Sequence, residues 1–203
     1  LAISISAVLL MLLYVDFQWK YDQFHDQGDR MYRVATEQYH EGQLKLESAM
    51  TYAGIAPLLA SQFPEVETQV RLAVWIGNDI VFQYEDRAVR EKDFFYTEPA
   101  FFDVFSFQLK QGNPETALSE PNSVVLTEKI AKQLFGEENP IGKIIRQENR
   151  SGFTVTGIIE EAPEQSHLKY GILASYATWD GSGMDDTGVY GDNHFDYLYA
   201  YSY

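Results

Sequence analysis

The chain has 203 residues, with 30 acidic against 15 basic side chains, a formal net charge of -15 and no cysteine. This excludes a disulfide framework, thiolate-ligated zinc or iron–sulfur sites and thiol nucleophiles, and it argues against nucleic acid, whose phosphates an acidic surplus repels. At 45% hydrophobic, with 13 Phe and 14 Tyr, the chain can bury a core in one or two domains.

The first element is an uncharged apolar run, Leu1–Val15. As a helix it covers about 22 Å of a hydrocarbon layer about 30 Å thick. With no initiator Met, basic leader or cleavage site, it does not fit a signal peptide. We expect the outer part of a transmembrane helix whose beginning is cut away; a buried core helix is the alternative. Tyr14, Phe17, Trp19 and Tyr21 follow, as amphipathic rings do at the headgroup level. Asp16, Asp22, Asp26 and Asp29 then outnumber Lys20 and Arg30, so this flank is expected on the non-cytoplasmic side.

Alternation over Met31–Gln38 predicts a first strand, and Glu41–Glu47 reads as a polar stretch. Ile55, Leu58, Leu59 and Phe63 fall at helical spacing before Pro64. Val66–Trp75 predicts a long strand. Ile80–Tyr84 and Ala88–Tyr96 predict a hairpin closed near Glu85–Arg87. Pro99–Leu109 is short and very aromatic, and Gln111–Leu118 reads as a turn with one helical turn.

Val124–Leu126 predicts a strand, Thr127 an N-cap, and Ile130, Ala131, Leu134 and Phe135 the apolar stripe of a helix stopped by Gly136. Asn139–Gly142 matches a type I turn, and Phe153–Pro163 predicts another strand. In His194–Tyr203 the alternating Phe195, Tyr197, Tyr199, Tyr201 and Tyr203 predict a strand that the chain end interrupts. It is expected to pair with early strands. Helices layered on a sheet make an α+β domain.

YDQFHDQGDRMYRV (Tyr21–Val34), FPEVETQVRL (Phe63–Leu72), Phe101–Lys143 and FTVTGIIEEAPEQSHLKY (Phe153–Tyr170) together resemble the periplasmic core domain of MacB/FtsX-type ABC transporter permeases. Order and spacing agree from about Tyr14 to Tyr176. The resemblance implies an α+β, mixed-sheet periplasmic domain: a porter-like α/β subdomain and a second small α/β lobe, preceded by part of a transmembrane helix. Residues 1–24 would be helix and interfacial junction, and 25–203 the core domain, with approximate subdomains 25–97 plus the C-terminal strand, and 98–175. It further implies a bacterial inner-membrane location with this domain on the periplasmic side. Its partners would be a cytoplasmic ABC ATPase subunit or domain, a second permease copy, and a periplasmic adaptor or a peptide or lipoprotein cargo. The family's role is mechanotransmission, with ATP hydrolysis in the separate ATPase and no catalytic residue, cofactor or metal in this domain. A membrane-tethered periplasmic sensor or ligand-binding ectodomain is the alternative function.

A domain that transmits movement needs a stiff join to its helix. Phe17, Trp19, Tyr21 and Phe24 are the candidate coupling residues, expected to bury large rings against the first strand; plain anchoring at the interface is the competing role. Other motifs carry less. GEENPIGKI (Gly136–Ile144) has the wrong glycine spacing for a P-loop and Ile144 in place of Ser or Thr. Asp180–Asn193 has Gly191 where an EF-hand needs Glu, and reads as a surface loop, with an irregular calcium site as the alternative. His25, His40, His167 and His194 lack ligand spacing, with His25 expected in a structural hydrogen bond. Ser166 and His167 beside Glu160, Glu161 and Glu164 have no nucleophile-elbow context. Asn149–Ser151 is a formal glycosylation acceptor expected in an exposed turn.

Overall fold

In the computed structural model, which describes residues 2–52, 54–74, 80–147, 152–180 and 199–203, the apolar run becomes helix α1 (Ala2–Trp19) with no buried residue. Its 18 residues reach about 27 Å at 1.5 Å each, long and apolar enough to cross a membrane. The helix runs a turn further than the uncharged stretch, and Lys20 donates to Asp16 one turn back at 2.7 Å.

A 3-10 turn (Gly28–Arg30) leads to strands β1 (Thr36–His40), β2 (Gln43–Ser48) and β3 (Thr51–Tyr52), helix α2 (Ile55–Gln62) and strand β4 (Arg71–Val74). Then come β5 (Ile80–Tyr84), β6 (Arg87–Glu91), β7 (Phe94–Thr97), the single turn α3 (Phe101–Val104), β8 (Leu109–Gln111) and β9 (Ser123–Thr127). Helix α4 (Glu128–Phe135), strands β10 (Ile144–Gln147), β11 (Gly152–Ile159) and β12 (Ile172–Ser175), helix α5 (Ala177–Asp180) and strand β13 (Tyr199–Ser202) complete the described chain.

Strands β1 and β2 form a separate hairpin; the rest join one sheet in the order β3-β13-β4-β7-β12-β9-β11-β10-β5-β6, with β8 also on β11. The sheet is mixed: β9–β11 and β7–β12 are parallel, whereas β9–β12 and β4–β7 are antiparallel. Both faces are apolar, because side chains alternate across the pleat. Ala73, Phe94, Tyr96, Val124, Leu126, Ile172 and Ala174 face one core with the apolar stripe of α4. Their neighbours Leu72, Phe95, Val125 and Leu173 face the other, built around Phe101, Phe105, Phe107 and Tyr170. It is against this second, aromatic core that Phe24, Met31 and Tyr203 pack.

Several local expectations hold. Thr127 caps α4 by accepting from Ile130 N–H, and Gly136 ends it with φ 65°. The late strand β13 does pair with early strands β3 and β4.

Others are corrected. The first strand begins at Thr36, not Met31, and the polar stretch after it is strand β2; Glu41 (φ 51°) and Gly42 (φ 75°) close that hairpin in the left-handed region a two-residue turn demands. Among the described residues, the strand expected from Val66 begins at Arg71. Ala88–Tyr96 is two strands. The Glu91 carboxylate accepts the N–H groups of Lys92 and Asp93 at 2.9 and 2.8 Å, which ends β6 at the sheet edge and sends β7 to its middle. The expected Asn139 turn sits one residue later: Lys143 N–H donates to Pro140 O at 3.0 Å, with Gly142 third at φ 80°. The Lys143 ammonium is held by Glu138 and the Tyr84 hydroxyl, so this turn keeps its lysine for itself. Asn149–Ser151, Gly181–Asn193, His194, Phe195 and Tyr197 lie outside the described residues.

Candidate functional site at the membrane junction

The site lies where the chain leaves α1. Of the four residues expected there, Phe17 and Tyr21 meet edge to face at 6.2 Å, and Trp19 is 76% exposed. Phe24 packs on the domain. Its ring packs 5.5 Å from Phe107 and 4.1 Å from His25, against the aromatic core, not against the first strand as expected. The α3–β8 segment supplies that surface because Phe101, Phe105 and Phe107 stack within it, 5.1 to 5.9 Å apart.

His25 is buried beside them. Its Nδ1 accepts the Ser106 N–H at 3.3 Å, the structural hydrogen bond its sequence context suggested. Ser106 in turn accepts the Asp26 N–H on its hydroxyl at 2.8 Å. Burial pulls the His25 imidazole below its ordinary value, against an upward pull from the nearby Asp22 carboxylate.

The residues that complete the site carry no signal in the sequence. Asp22 (φ 58°) turns the chain, donating its N–H to Gln165 O at 2.9 Å. Its carboxylate accepts the His167 N–H at 2.9 Å and faces the same residue's Nδ1 at 2.8 Å. The other ring nitrogen, Nε2, lies 2.8 Å from the Tyr203 hydroxyl. An ionised carboxylate only accepts, so Nδ1 carries the proton and Nε2 accepts from Tyr203 in the neutral ring.

The loop bearing His167 is braced. Lys169 donates to Pro163 O and Glu164 O at 2.6 and 3.0 Å, and the buried Ser166 hydroxyl donates to Leu168 O at 2.9 Å. Tyr203 is fixed as well: it exchanges both backbone hydrogen bonds with Val70 at 3.0 Å, and its ring meets Phe105 at 5.0 Å. His167 thus joins the exit of α1 to the end of the last strand. Ser166 and His167 take separate partners, and among the described residues no group of three or more His, Asp or Glu could hold a metal ion.

The family model of the MacB-like periplasmic core domain matches residues 1–198. The chain belongs to this family. The resemblance seen in its motifs therefore extends over nearly the whole sequence. Two crystal structures share the fold of this MacB-like chain. One is a domain of an assigned permease protein from Porphyromonas gingivalis: 24% identity, TM-score 0.62, covering 77% of this chain and 70% of that one. The other is the periplasmic region of MacB from Actinobacillus actinomycetemcomitans: 19% identity, TM-score 0.51, covering 72% of this chain and 61% of that one. No curated protein matches the chain. The residues matched to the MacB-like core domain begin with α1, a helix of membrane-crossing length.

Proposed function

We propose that this chain is the extracytoplasmic domain of a MacB/FtsX-type ABC permease and passes movement of its membrane helix into the periplasm. The observation that carries this reading is the Asp22–His167–Tyr203 chain, which ties the exit of α1 and the end of β13 to one braced loop. Movement of α1 is then felt by the sheet without unfolding a linker. Phe17, Trp19, Tyr21 and Phe24 act with it, Phe24 as the ring that docks and the others as the interfacial collar. The ranges 25–97 plus the C-terminal strand, and 98–175, are in this reading two lobes that move together through the sheet they share.

In this reading ATP is hydrolysed by a separate cytoplasmic subunit or domain, the permease is a dimer in the inner membrane, and a periplasmic adaptor or a peptide or lipoprotein cargo meets the acidic domain. The test uses the complete permease with its ATPase. Replacing Phe17, Trp19 and Phe24 together by Ser is expected to lower transport while ATP binding persists; unchanged transport would sink the coupling role.

A further inference from the structure

His25 is built into the junction in a way that coupling alone does not require. It is 6% exposed, enclosed by Phe24, Phe105 and Phe107 with ring centroids at 4.1, 5.5 and 5.2 Å. Nδ1 is the acceptor of the Ser106 N–H, so the neutral ring must carry its proton on Nε2. Among the described residues that nitrogen is buried with no hydrogen-bond partner.

A second proton has only Nδ1 to go to. There it would point at the Ser106 N–H, turning an acceptor–donor pair into two opposed donors, and would leave a charge among aromatic side chains. The charged form is therefore disfavoured in this pocket. Among the described residues, three titratable groups act on the ring: Asp22 and Asp26 from the junction and His167 from the braced loop. The α3–β8 wall presents Phe105 and Phe107. The two carboxylates already favour the charged form in the pocket, but burial outweighs them.

We propose that His25 is a proton-operated latch, whose protonation releases Phe24 and with it the end of α1 from the aromatic core. The lowered affinity of the buried ring for a proton sets the direction. The latched state prefers the neutral ring, so it is complete above about pH 6.5, the ordinary value of histidine, and is lost as pH falls below it. The inference adds regulation to the coupling site and rests on the coupling role only for its consequence in transport.

The test needs no transport. In the complete permease held in lipid nanodiscs, amide hydrogen exchange is measured at pH 7.5 and 5.0 and corrected for intrinsic rates. Protection of the Asp26 and Ser106 amides is expected to fall at least tenfold at the lower pH, while Gly136, at the end of α4, keeps its protection. His25→Gln, whose amide oxygen can accept the Ser106 N–H but does not titrate, is expected to abolish the change, and His167→Gln to retain it. No loss in the parent chain, an equal loss in His25→Gln, or disappearance of the loss in His167→Gln overturns the latch. Ring nitrogen spectra of the unaltered chain give an independent check: His25 at pH 7.5 must be the Nε2–H tautomer, and the Nδ1–H form overturns the proposal. A permease that transports normally with a released junction would instead refute the coupling role and leave the latch standing.

Discussion

Asp22 grips His167 twice, through the backbone N–H at 2.9 Å and the ring Nδ1 at 2.8 Å, across 145 positions of sequence. Both side chains are about one-third exposed, so solvent screening limits what the grip contributes. A double-mutant cycle of Asp22→Asn and His167→Gln, read by urea unfolding, is expected to show a coupling of about 1 kcal/mol. Strictly additive effects would mean the two residues are neighbours without being linked.

The aromatic core and the collar should differ sharply. Phe101 is fully buried, and Phe101→Ala is expected to cost about 3–5 kcal/mol through lost burial and the cavity left behind. Trp19, 76% exposed, should change domain stability by no more than about 0.5 kcal/mol when replaced by Ala. Denaturant midpoints of the two variants decide this, and a costly Trp19→Ala would place that ring in the core.

Two glycines with positive φ should respond differently to alanine. At Gly112 (φ 101°) a Cβ would stand 2.6 Å from Thr156 O, whereas at Gly142 (φ 80°) nothing among the described residues lies within 4 Å. Gly142→Ala is expected to cost about 1 kcal/mol for the left-handed backbone alone. Gly112→Ala adds a backbone clash and should exceed it by about 2 kcal/mol or more. Equal thermal shifts would contradict the close approach of residue 112 to β11.

Tyr170 predicts an alkaline instability. Burial pushes its hydroxyl well above the ordinary tyrosine value, helped by Glu161 and Glu160, and the hydroxyl donates to Glu160 O at 3.1 Å. Unfolded tyrosine ionises near pH 10, so the unfolded chain releases this proton first. The stabilisation is complete below about pH 10 and declines as pH rises beyond it. Unfolding midpoints between pH 9 and 11.5 should fall for the parent chain and fall less for Tyr170→Phe; parallel curves would exclude Tyr170 as the group responsible.

What was legible in the sequence is what neighbours along the chain decide. The uncharged run at the start makes α1, and the Thr127 cap, the stripe Ile130–Phe135 and the Gly136 stop make α4, because each needs only residues a turn away. Phe94, Phe95 and Tyr96 were harder: three successive rings show no alternation. The reason is that β7 lies inside a sheet buried on both faces, with Phe94 and Tyr96 in one core and Phe95 in the other. The exposed hairpin of β1 and β2 was half missed because its turn, Glu41–Gly42, has no Asn-Gly or Asp-Gly signature.

The sequence by itself determined that an apolar helix precedes an acidic, cysteine-free α+β domain, and its motifs pointed to the MacB-like core domain that the family match establishes. Only the tertiary structure decided which residues join the two. Phe24 was recognisable as a large ring at the junction, but the place of its neighbour Phe107 is set by the stacking of Phe107 on Phe101 between α3 and β8. Asp22, His167 and Tyr203 are ordinary residues until the sheet brings β13 beside β4 and the braced loop beneath the helix exit. Contacts between such distant positions arise from strand order, and no local pattern of side chains encodes that order.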